Sequence, residues 1–159
     1  MVAAVSGLSD AQVHFKARPD RRSVAECLEP IALAVDFLFM NGTQNVMNAG
    51  PGKPDRDDSR IDAGVLAMIP DRTHKAQVLP QLVPTGRWLT EEILKHFHAS
   101  REKTIRYMKN TPGLRMHVTE SPLGQPLDAY EWLLFVWAHS KRHTEQIDEV
   151  KTDPGFPKD

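Results

Sequence analysis

The chain has 159 residues, 40% hydrophobic and 26% charged, with a net charge of −1 at pH 7. This length and composition are typical of one globular domain, so we expect a single domain over residues 1–159. A nearly neutral chain creates no global field that attracts nucleic acid or an anionic membrane, and we expect neither as a partner. The longest apolar run, residues 31–40, is too short to span a membrane and contains Asp36.

Two further features indicate a cytoplasmic protein. No positively charged start precedes an apolar stretch, so we expect no signal peptide. Cys27 is the single cysteine, so no intramolecular disulfide can form.

Residues 1–20 show a weak helical pattern, and the first convincing helix follows them. Ser23-Val-Ala-Glu26 has the form of a capping box, in which a serine and a glutamate satisfy the first N–H groups of a helix. Apolar residues then recur at helical spacing up to Leu38, which predicts a helix over about 23–41 that ends at Asn41-Gly42. Pro30 lies inside this helix, where proline costs roughly 3 kcal/mol.

Residues 43–86 are predicted to form a long crossover. The segment around Gly50-Pro-Gly is rich in turn residues and charges, and a short helix over 60–69 is stopped by Pro70. A second long helix is predicted over about 90–109, because a capping threonine and two acids open it. Its inner face is predicted from apolar spacing to carry Ile93, Phe97, Thr104 and Met108.

The last helix is predicted over about 128–151, with Asp128 as its cap. No internal repeat and no strand alternation is visible. The sequence therefore predicts an all-α fold, a helix bundle with a long crossover.

The strongest chemical signal lies in that last helix. Trp132, Val136, His139, His143 and Gln146 recur at spacings of three and four, so they share one face. Two imidazoles one helical turn apart can bind one metal ion, although a metal site needs a third ligand. Ser140 stands where a zinc protease has its catalytic glutamate, which disfavours that class.

Several blocks of the chain resemble the DinB-like superfamily. Gly7-Leu-Ser-Asp, Ser23-Val-Ala-Glu-Cys-Leu-Glu, Asp71-Arg-Thr-His and Pro84-Thr-Gly-Arg match its opening segment, the helix after it and its crossover. Trp132-Leu-Leu-Phe, His139, Arg142-His143 and Glu149-Val-Lys match its last helix, which is the most specific block.

This resemblance implies a bacterial-type, up-down-down-up four-helix bundle that is commonly a homodimer. It also implies a divalent metal, zinc or nickel, held by three histidines, and a metal-dependent transferase or hydrolase that acts on a low-molecular-weight thiol. By position, His139 and His143 are two of the metal ligands, and the third position is Pro30.

The sequence departs from the family around that third position. Proline has no side-chain metal donor, the usual tryptophan before the serine is Arg22, and the usual acid later in the helix is Val35. The first helix is also expected to be truncated relative to the family. Glu26, or the adjacent Glu29, could replace the missing ligand, since a carboxylate with two imidazoles is an ordinary zinc set.

The remaining candidates have plainer interpretations. His96 and His98 are interpreted as surface residues, and little weight falls on His14, His74 and His117. Trp88, Trp132 and Trp137 are predicted to be packing anchors. Cys27 is interpreted as a small buried hydrophobe, and Arg142 as a salt-bridge partner or a substrate clamp.

Two hypotheses follow. One is a metal-dependent enzyme that uses a metal-bound thiolate or water as its nucleophile. The other is a metal-free helical module for binding or dimerisation, without catalysis.

Overall fold

The computed structural model describes residues 1–73, 83–86 and 88–158. They form six α-helices, which confirms the all-α prediction: α1 Val2–Val5, α2 Asp10–His14, α3 Val24–Met40, α4 Asp58–Met68, α5 Thr90–Asn110 and α6 Ala129–Lys151. Two-residue strands, β1 Val118–Thr119 and β2 Leu127–Asp128, pair antiparallel ahead of α6. These strands could not be predicted, because each is too short to show alternation.

Helix α3 lies at the centre of the bundle. The capping box is present, since Glu26 N–H donates to Ser23 Oγ at 3.2 Å and Ser23 N–H donates to Glu26 Oε2 at 3.0 Å. Pro30 lies inside α3 and is buried, so the helix tolerates it without ending.

The predicted stop at Asn41-Gly42 is wrong. The helix instead continues through a π-helical turn over Asn41–Asn45 and then to Met47. Glycine at position 42 does not end the helix but allows a close contact with α6, because a Cβ there would lie 2.2 Å from Trp132 Cβ. Glycine lets the two helices approach at this point.

The directions of the three long helices follow from their contacts. Asp36 lies 3.0 Å from His96, and three residues later Phe39 meets Tyr107 edge to face at 5.5 Å, so α3 and α5 run parallel. Gly42 near the end of α3 contacts Trp132 near the start of α6, so α6 runs antiparallel to α3. Both α5 and α6 pack against α3.

The crossover contains a helix that joins the core. Helix α4 occupies 58–68, against the predicted 60–69, and packs against α6. The expected short N-terminal region comprises α1 and α2, of four and five residues. Within the part of the chain that the structure describes, every helix is too short or too polar to cross a membrane.

Candidate functional site

The two histidines on α6 lie side by side, with ring centroids 4.6 Å apart and rings inclined by 63°. The helical spacing of four residues brings them together one turn apart. His143 is 6% exposed, whereas His139 is partly exposed. The pair therefore lies at the edge of the core, where a ligand could reach it.

Burial and nearby arginines keep both imidazoles neutral at physiological pH. Burial, together with the charges of Arg142, Arg22 and Arg101, lowers the pKa of His139 to about 4. Burial lowers the pKa of His143 to about 3, with contributions from His139 and Arg22. Neutral imidazoles suit either a metal or a hydrogen-bonding ligand, but the surrounding positive charge opposes a cation.

Two buried polar atoms at the pair face each other's side chains. Nδ1 of His143 and Oε1 of Gln146 form no hydrogen bond of good geometry, although a side-chain interaction between His143 and Gln146 raises the pKa of His143 against the effect of burial. Buried polar atoms are usually paired in native proteins, and an exception needs an explanation such as a ligand. These atoms mark a position where a bound polar group would gain hydrogen bonds.

The residues around the pair do not fit the three-histidine site that the resemblance implies. The third position is Pro30, and the two nearby carboxylates have other partners. Glu26 accepts from Ser23 N–H and from Lys16 Nζ at 2.6 Å. Glu29 is buried and accepts from Thr85 N–H at 2.8 Å and Gly86 N–H at 2.7 Å.

Among the described residues, no third histidine, cysteine or carboxylate joins His139 and His143 within ligand-sharing distance. Replacement of the missing ligand by Glu26 thus stays a prediction, and it would require Glu26 to leave both of its present partners.

The other predicted residues lie elsewhere. His96 contacts Asp36, His98 is exposed, His14 is exposed beside Asp10, and Nδ1 of His117 lies 2.8 Å from the Ala49 carbonyl. His74 falls outside the described residues. Cys27 is buried, and burial raises the pKa of its thiol to about 11, so it is not an activated nucleophile.

Arg142 has a role that the sequence did not indicate. Its guanidinium donates to the carbonyls of Ile69 and Asp71, just after α4 ends, the first at 3.1 Å. It therefore caps the C-terminus of α4, where carbonyls lack helical partners. Neither the predicted salt bridge nor a free substrate clamp describes this contact.

A carboxylate cluster was missed by the sequence reasoning. Asp58, Asp128 and Glu131 have ligand oxygens within 4.8 Å of one another, so the cluster could hold a metal ion. Arg56 lies among them and donates to all three carboxylates. Arg115 adds hydrogen bonds to Asp62 and Asp128. Only the Asp128–Glu131 capping pair is visible in the sequence, since Arg56 is 72 residues from Asp128.

Fold and site together define an all-α bundle with a histidine pair on the inner face of its last helix. The model of the DinB superfamily matches residues 1–147, so the chain belongs to that superfamily. Comparisons with curated proteins and with solved structures give no match.

Proposed function

We propose that this DinB superfamily protein is a metal-free binding domain for a small anionic ligand. The proposed histidine–arginine site comprises His139, His143, Gln146 and Arg22. The observation that carries the proposal is the positive charge of Arg22 near two buried, neutral imidazoles. An anion would find favourable charge there and the N–H group of a neutral imidazole as a hydrogen-bond donor, whereas the arginine would repel a cation.

Arg22 is the arginine available for this role. It is partly exposed and forms no hydrogen bond or ion pair with a described residue, although its charge also helps to lower the pKa of Glu26. Arg142 is committed to the end of α4, and Arg101 donates to Ser140 Oγ. Guanidinium groups bind carboxylates and phosphates through paired N–H donors, so Arg22 favours such a ligand. A low-molecular-weight thiol that carries carboxylates belongs to this chemical class.

The binding test uses inorganic phosphate and succinate as probes and compares Arg22→Gln with Arg21→Gln. Arg21 is the matched control, because it is adjacent in sequence and exposed. We expect either probe to raise the melting temperature and Arg22→Gln to weaken binding about tenfold, in line with the loss of one charge-assisted pair. Equal weakening in both variants, or no binding of either probe, would overturn the proposal.

The second candidate is the metal-dependent transferase or hydrolase, favoured by two neutral imidazoles one turn apart. Metal content after purification from zinc- and nickel-supplemented medium separates the two. We expect wild type and Pro30→Ala to be empty and Pro30→His to bind one metal ion per chain. Pro30→Ala is the control, since it restores the backbone donor without adding a ligand. Stoichiometric metal in wild type that is lost in His143→Ala would favour the enzyme.

A further inference from the structure

A long groove lies between α5 and α6. Its volume is about 560 Å³, which is within the range of small-molecule sites. Most of its lining is apolar, and three of the lining side chains are open to solvent: Ile105 is 50% exposed, Met108 40% and Trp137 49%. Met108 was predicted to face inward and Trp137 to be a packing anchor, and both predictions are wrong. An exposed apolar patch of this kind usually marks an interaction site.

One cation lies in this lining without an anionic partner. The guanidinium of Arg101 donates to Ser140 Oγ and lies over the Phe97 ring, 4.9 Å from the ring centroid. Arg56 and Arg115 each pair with carboxylates, whereas Arg101 pairs with none among the residues that the structure describes. Burial lowers the pKa of Arg101, because a charge that is partly removed from water is less stable. An anion that entered the groove would offset that cost.

The other charges of the lining neutralise each other. Lys141 Nζ lies 2.7 Å from Glu145 Oε1, one turn further along α6, and more than two fifths of each side chain is exposed. The charge that remains among the lining side chains is that of Arg101. The groove therefore favours a ligand with a single negative charge.

The cation and the most exposed apolar surface lie in different parts of the groove. Helices α5 and α6 run in opposite directions, since α5 is parallel to α3 and α6 is antiparallel to it. Arg101 contacts Ser140, so the residues after Arg101 on α5 face the residues before Ser140 on α6. Ile105 and Trp137 therefore lie on the same side of Arg101. From Ser140 to Tyr130 this side extends about 15 Å along α6, at 1.5 Å per residue.

We propose that the groove binds a free long-chain monocarboxylate, with its carboxylate on Arg101 and its alkyl chain along the apolar side. Arg101 donates to Ser140 through one nitrogen, and a guanidinium has five N–H groups, so donors remain for a carboxylate. The alkyl chain would cover Ile105, Met108 and Trp137. This site is separate from the histidine–arginine site, because none of the residues of that site lines the groove.

The head group is tested by calorimetric titration of the whole chain with decanoate and with decanol, which has the same alkyl chain but no charge. Decanol should bind wild type about tenfold more weakly than decanoate, because it makes no ion pair. Arg101→Gln should weaken decanoate binding about tenfold and leave decanol binding unchanged. Arg106→Gln is the matched control, since Arg106 is exposed on the same helix and lies outside the lining.

The position of the alkyl chain is tested with Ile105→Glu. This variant should weaken the binding of both decanoate and decanol about tenfold, because it places a carboxylate against the alkyl chain. Met116→Glu is the matched control: Met116 is 64% exposed and outside the lining, so this variant should bind both probes like wild type. Circular dichroism verifies that each variant is folded.

Four results would overturn the proposal. The first is no binding of decanoate by wild type below about 1 mM. The second is equal binding of decanoate and decanol, which would remove the role of Arg101. The third is weaker decanoate binding in Arg22→Gln in place of Arg101→Gln, which would put the carboxylate at the histidine–arginine site. The fourth is decanoate binding that weakens as protein concentration rises, which would show that a second copy of the chain occupies the groove.

Discussion

The buried polar groups in the two halves of α6 have different kinds of partner. In the first turn, Asp128 and Glu131 are fully buried, and both receive hydrogen bonds from Arg56. More than three turns later, His143 and Gln146 interact only with each other's side chains and not with a charged group. The same helix thus carries an ionic network at its start and a neutral polar pair beyond its middle.

From this difference we infer that the first half of α6 stabilises the fold and that the second half is the candidate for ligand binding. Burial raises the pKa of Glu131, while hydrogen bonds from Asp128 N–H and Arg56 lower it. The carboxylate is therefore stabilised by partners within the protein. Oε1 of Glu131 accepts no hydrogen bond but lies 3.6 Å from Arg115. A metal would have to displace both arginines. The histidine half holds no ion pair of this kind and is the half available to a ligand.

The largest effect is expected from breaking the network. Arg56→Met should lower the free energy of unfolding by about 3–5 kcal/mol, because two buried carboxylates lose their main cation. Lys53→Met, in the same connector but exposed, should change it by less than about 0.5 kcal/mol. Chemical denaturation at pH 7.5 measures both. Similar values for the two variants would mean that Arg115 alone neutralises the cluster.

An intermediate effect is expected from acid on the histidine half. The folded pKa of His143, about 3, lies below its ordinary value of 6.5, so the unfolded chain binds the proton first and stability falls as pH drops below 6.5. Between pH 7.5 and pH 5 the loss due to His143 should be about 2 kcal/mol. Denaturation at both pH values measures it, with His143→Gln as the reference. An equal pH dependence in that variant would show that His143 titrates normally.

The smallest effect is expected from removing the imidazole of His143. His143→Leu should lower the free energy of unfolding by about 1 kcal/mol, because an apolar side chain of similar size fills the space but leaves Gln146 without its side-chain partner. Thermal unfolding at pH 7.5 measures it. A loss of several kcal/mol would indicate that His143 is held by an internal partner, as the carboxylates of the first half are.

Local signals in the sequence were sufficient for the long helices. The capping residues Ser23 and Asp128 and the apolar spacing behind them placed α3 and α6, and His139 and His143 fall on one face because helical periodicity requires it. The helix end predicted at Asn41-Gly42 was wrong because glycine occurs both at helix ends and where two helices pack closely. The sequence does not show that Trp132 packs against Gly42, so it cannot distinguish the two cases.

The charge environment of the site depends on long-range packing. Arg22 is separated from His139 by more than a hundred residues, and only the α3–α6 contact brings their charges together. The same applies to Arg56 and its carboxylates. The family resemblance could identify the ligand positions and show that Pro30 occupies one of them. It could not show that Glu26 and Glu29 already have hydrogen-bond partners.

The π-helical turn at Asn41–Asn45 has an evolutionary consequence. Such a turn arises when one residue is inserted into an α-helix, and everything after it is rotated by about 100°. A relative that lacks the turn should align with a one-residue gap at this point, inside a helix rather than in a loop. A gap at this point would therefore indicate that the helix after it is rotated in the relative, so that a different residue packs against Trp132.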